Sequence, residues 1–128
     1  MMNSERFAVD PEYRAAQFQT TALDRPLVAH FSANNPATLL AAARHVEHQC
    51  DAIDINLGCP QRVAFTGHFG SYLLGPEDRE TVLSMVRELR ANLSIPVFVK
   101  IRLLDSVPET IELCQQLVQA GGPLFVGY

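Results

Sequence analysis

Apolar and polar residues alternate from Asp51 to Leu57, with isoleucine or leucine at every second position near the end of the run. A period of two residues is typical of a β-strand with one buried face. The alternation stops at a Gly-Cys-Pro sequence, where glycine and proline predict a turn. We therefore expect the amide of Asn56 and the thiol of Cys59 to lie where a strand meets its loop.

Helical and strand patterns alternate along the rest of the chain. Helix starts are indicated where a capping residue stands before or beside a proline, as at Asp-Pro and Asn-Pro. Apolar residues at helical spacing follow each start, and 61–74 is predicted to be a loop. The predicted helices begin near Asp10, Asn35, Gly75 and Asp105, and the predicted strands cover 27–31, 52–57, 97–103 and 123–127. In the last helix, Ile111, Cys114, Leu117 and Val118 are predicted to face inward.

This order of elements predicts an α/β fold built from right-handed βα units with a parallel sheet. A doubly wound sheet and part of a (β/α)₈ TIM barrel both fit. Strand 97–103 favours the barrel, because Phe98, Lys100 and Arg102 share one face and apolar residues share the other. A complete barrel takes about 250 residues. We therefore expect 1–128 to be one partial barrel domain, covering about strands 2–5.

Composition restricts the function classes. The chain has 128 residues, of which 48% are hydrophobic and 19% charged, as in a folded globular protein. A net charge of −4 gives no general attraction to nucleic acid. No apolar run approaches the roughly 20 residues of a membrane span, and no secretory signal is visible. Three cysteines without CxxC spacing do not predict disulfides or a zinc site, and they favour a reducing compartment.

Cys59 is the first candidate for chemistry. A free cysteine is usually a small buried hydrophobic residue, which is how we interpret Cys50 and Cys114 on their apolar helical faces. The position of Cys59 in a βα loop favours a function instead. A thiolate nucleophile would need a nearby histidine, and His68 is the candidate. A proton donor would instead keep an ordinary thiol pKa, near 8.5.

Lys100 and Arg102 are two cations on the inner face of a predicted strand. They predict a site for an anion or for a ring that becomes anionic, and a structural ion pair with Asp54 is the alternative. Asn56 offers both donors and acceptors to an amide-like heterocycle, with a role in bonding the backbone of the turn as its alternative.

Three motifs together resemble a known family. They are NLGCPQ at 56–61, GHFG at 67–70 and VKIR at 99–102. The chain resembles the tRNA-dihydrouridine synthases over nearly its whole length, and in particular the eukaryotic branch that modifies the D-loop of tRNA. NLGCPQ is the most specific of the three motifs.

The resemblance implies a flavin oxidoreductase on a (β/α)₈ barrel. In this family NADPH reduces FMN, the flavin passes a hydride to C6 of a uracil in tRNA, and a cysteine protonates C5. The resemblance assigns the proton-donor role to Cys59 and the uracil edge to Asn56. It places Lys100 at the flavin pyrimidine ring and Arg102 on the substrate side. It also implies a tRNA partner, no membrane or metal, and a cytoplasmic or nuclear location.

The chain departs from the family pattern at several positions. His30 stands where the family usually has a glutamine that contacts the flavin, so we predict that it contacts the cofactor in place of glutamine. Phe65 and Thr66 stand where the family carries basic residues before the Gly-His pair. Residues 126–128 read Val-Gly-Tyr, where the family has Val-His-Gly-Arg.

The comparison with the family pattern also predicts missing elements. We expect the chain to lack the first strand, the later strands and the C-terminal helical domain that binds tRNA. Two other functions stay open on the residues alone. One is an inactive half-barrel that acts as an interaction module or is a remnant. The other is an unrelated βα enzyme with a Cys59–His68 nucleophile.

Overall fold

The alternating stretches form strands of one parallel sheet. The computed structural model describes residues 1–121 and the backbone of 124–126. Its five strands pair side by side in chain order, all of them parallel. The strands are β1 (Met2–Asn3), β2 (Val28–Ser32), β3 (Ala52–Leu57), β4 (Val97–Ile101) and β5 (Leu124–Val126). The helices are α1 (Ser4–Val9), α2 (Pro11–Gln17), α3 (Pro36–Arg44), α4 (Arg62–Thr66), α5 (Arg79–Asn92) and α6 (Val107–Gln119).

The predicted α/β class with parallel βα units is confirmed, and the sheet is a segment of a (β/α)₈ barrel. The helix predicted near Asp10 is α2, and it is preceded by β1 and α1, neither of which was predicted. A two-residue strand is too short to show alternation in the sequence. It is recognised only by its pairing, in which Met2 lies opposite Phe31.

Capping side chains begin three of the predicted helices, as expected. Asp10 caps α2 by accepting a hydrogen bond from the backbone N–H of Tyr13 at 2.9 Å. Asn35 caps α3 through the N–H of Ala37 at 2.9 Å, and Ser106 caps α6. Each side chain satisfies an N–H that the first turn of a helix leaves without a partner.

The core lies between the sheet and its helices. The apolar face of β3 and β4 is fully buried and joins α3, α5 and α6 in one cluster. In α5 the apolar residues at helical spacing are buried, as their pattern predicts; they are Val82, Leu83, Val86 and Leu89, and Met85 is buried as well. Because side chains alternate across a strand, Asp54, Asn56 and Lys100 leave the opposite face of the same strands.

Some predicted boundaries were wrong. Apolar residues at helical spacing continue from Leu39 to Cys50 and predict a helix over that length. The helix instead ends at Arg44, and a short 3₁₀ turn, Glu47–Gln49, follows it. The stretch 61–74 is not a plain loop, because it contains α4 and the 3₁₀ turn Gly70–Leu73. These elements have only three to five residues each, which is too few for an apolar period to show in the sequence.

The predicted inner faces of two elements were also wrong in part. Strand β4 stops at Ile101, so Leu103 lies beyond it and is exposed. In α6, Ile111 and Val118 are exposed, whereas Leu113 and Leu117 are buried. Leu113 and Leu117 are one helical turn apart and define the buried stripe.

Gly122, Pro123, Gly127 and Tyr128 lie outside the described residues. The two ends of the last predicted strand fall there, as do Gly127 and Tyr128 from the departure from the family pattern. Within the described part of the chain, every helix is too short or too polar to cross a bilayer.

Candidate active site

The carboxyl ends of β2, β3 and β4 bring the predicted site residues to one rim. In the parallel register His30 lies opposite Asp54, and Asn56 lies opposite Lys100. Asp54 and Asn56 are two residues apart on β3, so their side chains leave the same face of the sheet. The register thus places Asn56 and Lys100 side by side at the carboxyl ends of their strands.

Asn56 shapes the turn that carries the thiol. Its side-chain oxygen Oδ1 accepts hydrogen bonds from the backbone N–H groups of Gly58 and Cys59, each at 2.9 Å. The Asn56 residue is 8% exposed, so these bonds are largely shielded from water. The predicted alternative, a backbone-bonded turn residue, is therefore correct for the oxygen of this amide.

The Cys59 thiol is half-buried, with Sγ 3.9 Å from Oε1 of Gln61. By contrast, Cys50 is buried, and burial raises the pKa of its thiol. Burial also raises the pKa of Cys114. Cys50 belongs to the hydrophobic core and Cys114, half-buried on α6, packs against it, which agrees with their interpretation as packing residues.

The segment after Cys59 folds back and fixes the thiol loop from behind. The backbone N–H and the hydroxyl of Ser71 each donate to the carbonyl of Cys59 at 3.0 Å. The hydroxyl of Tyr72 donates to the carbonyl of Pro60 at 3.0 Å. Gly70 has φ +66° and lies so close that a Cβ there would be 2.7 Å from the Cys59 carbonyl oxygen.

Sequence reasoning missed these supports. The sequence pointed to Gly70 as the last residue of the GHFG motif, without a structural role. The available signal was a glycine followed directly by the two hydroxyl residues Ser71 and Tyr72, which is compatible with a turn that bonds backbone carbonyls.

The two predicted cations flank Gly58. A Cβ on Gly58 would lie 3.5 Å from Nζ of Lys100 and 3.4 Å from Cγ of Arg102. Lys100 is half-buried and Arg102 is exposed. The absence of a side chain at Gly58 therefore leaves room beside an ammonium group, next to the thiol.

The alternative of an ion pair with Asp54 was wrong. Asp54 contacts His30 instead, with 2.6 Å between Oδ2 and Nδ1. Among residues 1–121, neither Lys100 nor Arg102 forms a salt bridge with a carboxylate. Both cations are thus free of such pairing within the described part of the chain.

His30 also contacts Asn56, with 2.9 Å between its Nε2 and Nδ2 of the amide. The sequence placed His30 and Asn56 at neighbouring strand ends but did not pair them. The connection depends on the register between β2 and β3, which has no local sequence signal.

His68 is not brought to the thiol. Its Nε2 lies 3.1 Å from Oδ1 of Asp78, and its backbone has φ 47°. The hydrogen-bond partner of the Cys59 thiol among the described residues is Gln61. The geometry therefore does not support a Cys59–His68 nucleophile.

An open groove of about 730 Å³ borders the rim on the side of α6. Ser71, Arg79, Arg102 and Gln116 are among the residues that line it. Arg79 donates to Oε1 of Gln116 at 2.8 Å. Over residues 1–121, no group of three or more potential metal ligands lies together.

A comparison of the sequence with known families agrees with this site. Residues 1–126 match the family model described as dihydrouridine synthase. The chain belongs to the dihydrouridine synthase family. The match covers every residue of the rim, from His30 to Arg102.

Curated relatives of this dihydrouridine synthase chain carry tRNA in their names. The tRNA-dihydrouridine(16/17) synthase of Saccharomyces cerevisiae, named with NAD(P)(+), is 40% identical over 94% of this chain and 29% of its own length. The Schizosaccharomyces pombe protein of the same name is 36% identical over 97% of this chain and 31% of its length. The human tRNA-dihydrouridine(20a/20b) synthase-like protein is 36% identical over 94% of this chain and 38% of its length. The chain thus spans about three-tenths of the length of the two yeast relatives.

Proposed function

We propose that this chain contributes the thiol rim of an FMN-dependent enzyme that reduces the C5=C6 bond of uracil in tRNA, with NADPH as reductant. The observation that carries the proposal is the meeting of Asn56, Cys59 and Lys100 at one rim, in a chain that belongs to the dihydrouridine synthase family. Activity on tRNA would place the protein in the cytoplasm or the nucleus.

Cys59 is the proposed proton donor. Its half-buried thiol is accessible from the rim, and Sγ–H breaks as the proton passes to C5 of the uracil. The thiolate then regains a proton from water. The hydrogen bonds from Ser71 to the Cys59 carbonyl hold the loop in place while the sulfur changes charge.

Asn56 and Arg102 are the proposed substrate contacts. Both acceptor positions of the Asn56 oxygen are used within the turn, but an amide NH₂ has two N–H donors. One donor faces His30, and the other is free to bind a uracil carbonyl. Arg102 is exposed beside the groove, where it can meet the negative charge of tRNA.

The rim fits a flat cofactor that becomes anionic. Gly58 leaves space that a Cβ would fill, beside Nζ of Lys100, and that ammonium has no carboxylate partner within the described residues. His30, 29% exposed in its side chain, stands on the neighbouring strand β2 and is the other proposed contact of the cofactor. When bound, FMN would supply the hydride for C6 and would be reduced again by NADPH.

The test is the variant Cys59→Ala in the purified, flavin-loaded protein. We expect reduction of the flavin by NADPH to stay unchanged, whereas formation of dihydrouridine in tRNA falls by roughly a hundredfold or more, as for loss of a general acid. Stopped-flow absorbance follows the first step and mass spectrometry of digested tRNA follows the second.

Cys114→Ala is the matched control, because this thiol lies on α6 away from the rim; it should retain both steps. Full dihydrouridine formation by Cys59→Ala would contradict the proton-donor role. A colourless protein that cannot be reconstituted with FMN would contradict the enzyme itself and support a non-enzymatic interaction module.

A further inference from the structure

A continuous series of hydrogen bonds links Asp54 on β3 to His30 on β2, returns to Asn56 on β3 and ends in the thiol loop. Asp54 Oδ2 lies 2.6 Å from Nδ1 of His30, and Nε2 of His30 lies 2.9 Å from Nδ2 of Asn56. The oxygen of Asn56 then accepts the backbone N–H groups of Gly58 and Cys59. This series of hydrogen bonds thus ends at the backbone N–H of Cys59.

The donors and acceptors of these hydrogen bonds fix the position of the hydrogen on the His30 ring. Because two N–H groups point at Oδ1 of Asn56, the other end of the amide is the NH₂ group, which can only donate. Nε2 of His30 must therefore accept. A neutral imidazole has a single N–H, so this hydrogen is on Nδ1 and is donated to Asp54.

The Asp54 carboxylate is suited to accept a hydrogen bond from this Nδ1–H group. Its side chain is 16% exposed, and its other oxygen, Oδ1, is buried without a hydrogen-bond partner among the described residues. Among the described residues, the side-chain hydrogen bond of the Asp54 carboxylate is the one with His30. A carboxylate in that setting favours a ring with its hydrogen on the near nitrogen, because an unbonded buried charge is costly.

We propose that His30 is a positioning residue for Cys59. As the neutral tautomer with its hydrogen on Nδ1, bonded to Asp54, the ring accepts a hydrogen bond from the Asn56 NH₂ group. This bond orients the amide so that its oxygen accepts from the backbone N–H groups of the thiol loop. The role of the oriented thiol rests on the proposed function, whereas the tautomer and the hydrogen bonds do not. A histidine where the family pattern has glutamine keeps an acceptor at this place, since glutamine also offers one.

The first test is the tautomer itself, in the purified protein labelled with ¹⁵N-histidine. Two-dimensional NMR of the ring nitrogens at neutral pH should show a protonated Nδ1 and an unprotonated Nε2 for His30. The assignment is made by loss of the signal in His30→Gln. An Nε2–H tautomer, or a ring protonated on both nitrogens, would overturn the proposal.

The second test asks whether the thiol loop depends on the hydrogen-bond acceptor of His30 or on the packing of its side chain. It measures amide hydrogen exchange at Cys59. His30→Leu removes the acceptor, and we expect exchange of the Cys59 N–H to quicken roughly threefold to tenfold, as for loss of one net hydrogen bond. His30→Gln restores an acceptor and should stay within about twofold of the wild type. His48→Leu, at an exposed histidine, controls for loss of an imidazole elsewhere.

Each pattern of results decides the matter. Unchanged exchange in His30→Leu would overturn the proposal, and so would equal acceleration in His30→Gln, because packing rather than acceptance would then explain both. Neither test requires flavin or tRNA. A protein without reductase activity could therefore still show the tautomer, and an active enzyme could still lack it.

Discussion

Replacing Gly70 by alanine is expected to destabilise the loop that carries Cys59. Gly70 has φ +66°, in the left-handed region that L side chains rarely adopt. An added Cβ would lie 2.7 Å from the carbonyl oxygen of Cys59 and 3.0 Å from its Cβ. One of these contacts is with backbone, so the clash cannot be relieved by rotation of a flexible side chain.

The size of the effect follows from two contributions. A left-handed conformation costs an L-residue about 1–2 kcal/mol. Overpacking in a closely packed place adds about 1–3 kcal/mol. Gly70→Ala should therefore lower the free energy of unfolding by about 2–5 kcal/mol, a large part of the roughly 5–15 kcal/mol of a typical domain.

Gly58→Ala is the matched control on the other side of the thiol. The nearest atoms to its added Cβ are Cγ of Arg102 at 3.4 Å and Nζ of Lys100 at 3.5 Å, which are ordinary contacts with mobile side chains. Urea unfolding followed by circular dichroism measures both variants. The reasoning would be refuted if Gly70→Ala stayed within about 0.5 kcal/mol of the wild type, or if Gly58→Ala lost as much.

Two further predictions concern the core and the acid limit of stability. Leu89→Ala, at a fully buried position, should cost about 2–5 kcal/mol, whereas the exposed Leu103→Ala should stay within about 0.5 kcal/mol in thermal unfolding. Equal losses would contradict the assigned core. Hydrogen bonds from the Leu27 N–H and the Arg25 guanidinium lower the pKa of Asp51 from 3.8. This carboxylate therefore stabilises the fold above its unfolded pKa, and the contribution disappears as the pH falls through the folded value. We expect Asp51→Asn to flatten the acid side of the stability curve measured by urea unfolding, and an unchanged slope would count against it.

The elements that depend on local pattern could be predicted from the sequence. The bounds of β3, the caps at Asp10 and Asn35, and the buried face of α5 all follow from periodicity and capping. The parallel α/β fold then follows from their order. β1 was not predicted, because two residues are too short to show a period. Ile111 was wrongly predicted to face inward, because tertiary packing decides which side of a helix meets the core.

The residue types of the rim were likewise visible in the sequence: an amide, a thiol and two cations near strand ends, in motifs typical of dihydrouridine synthases. Their partners were not. His30 contacts Asp54 and Asn56 because two strands pair in one register, and Gly70 packs on Cys59 because a loop closes over it. Hydrogen bonds between residues 24 or 26 positions apart depend on distances that only the assembled sheet sets, whereas a strand or a cap depends on neighbours along the chain.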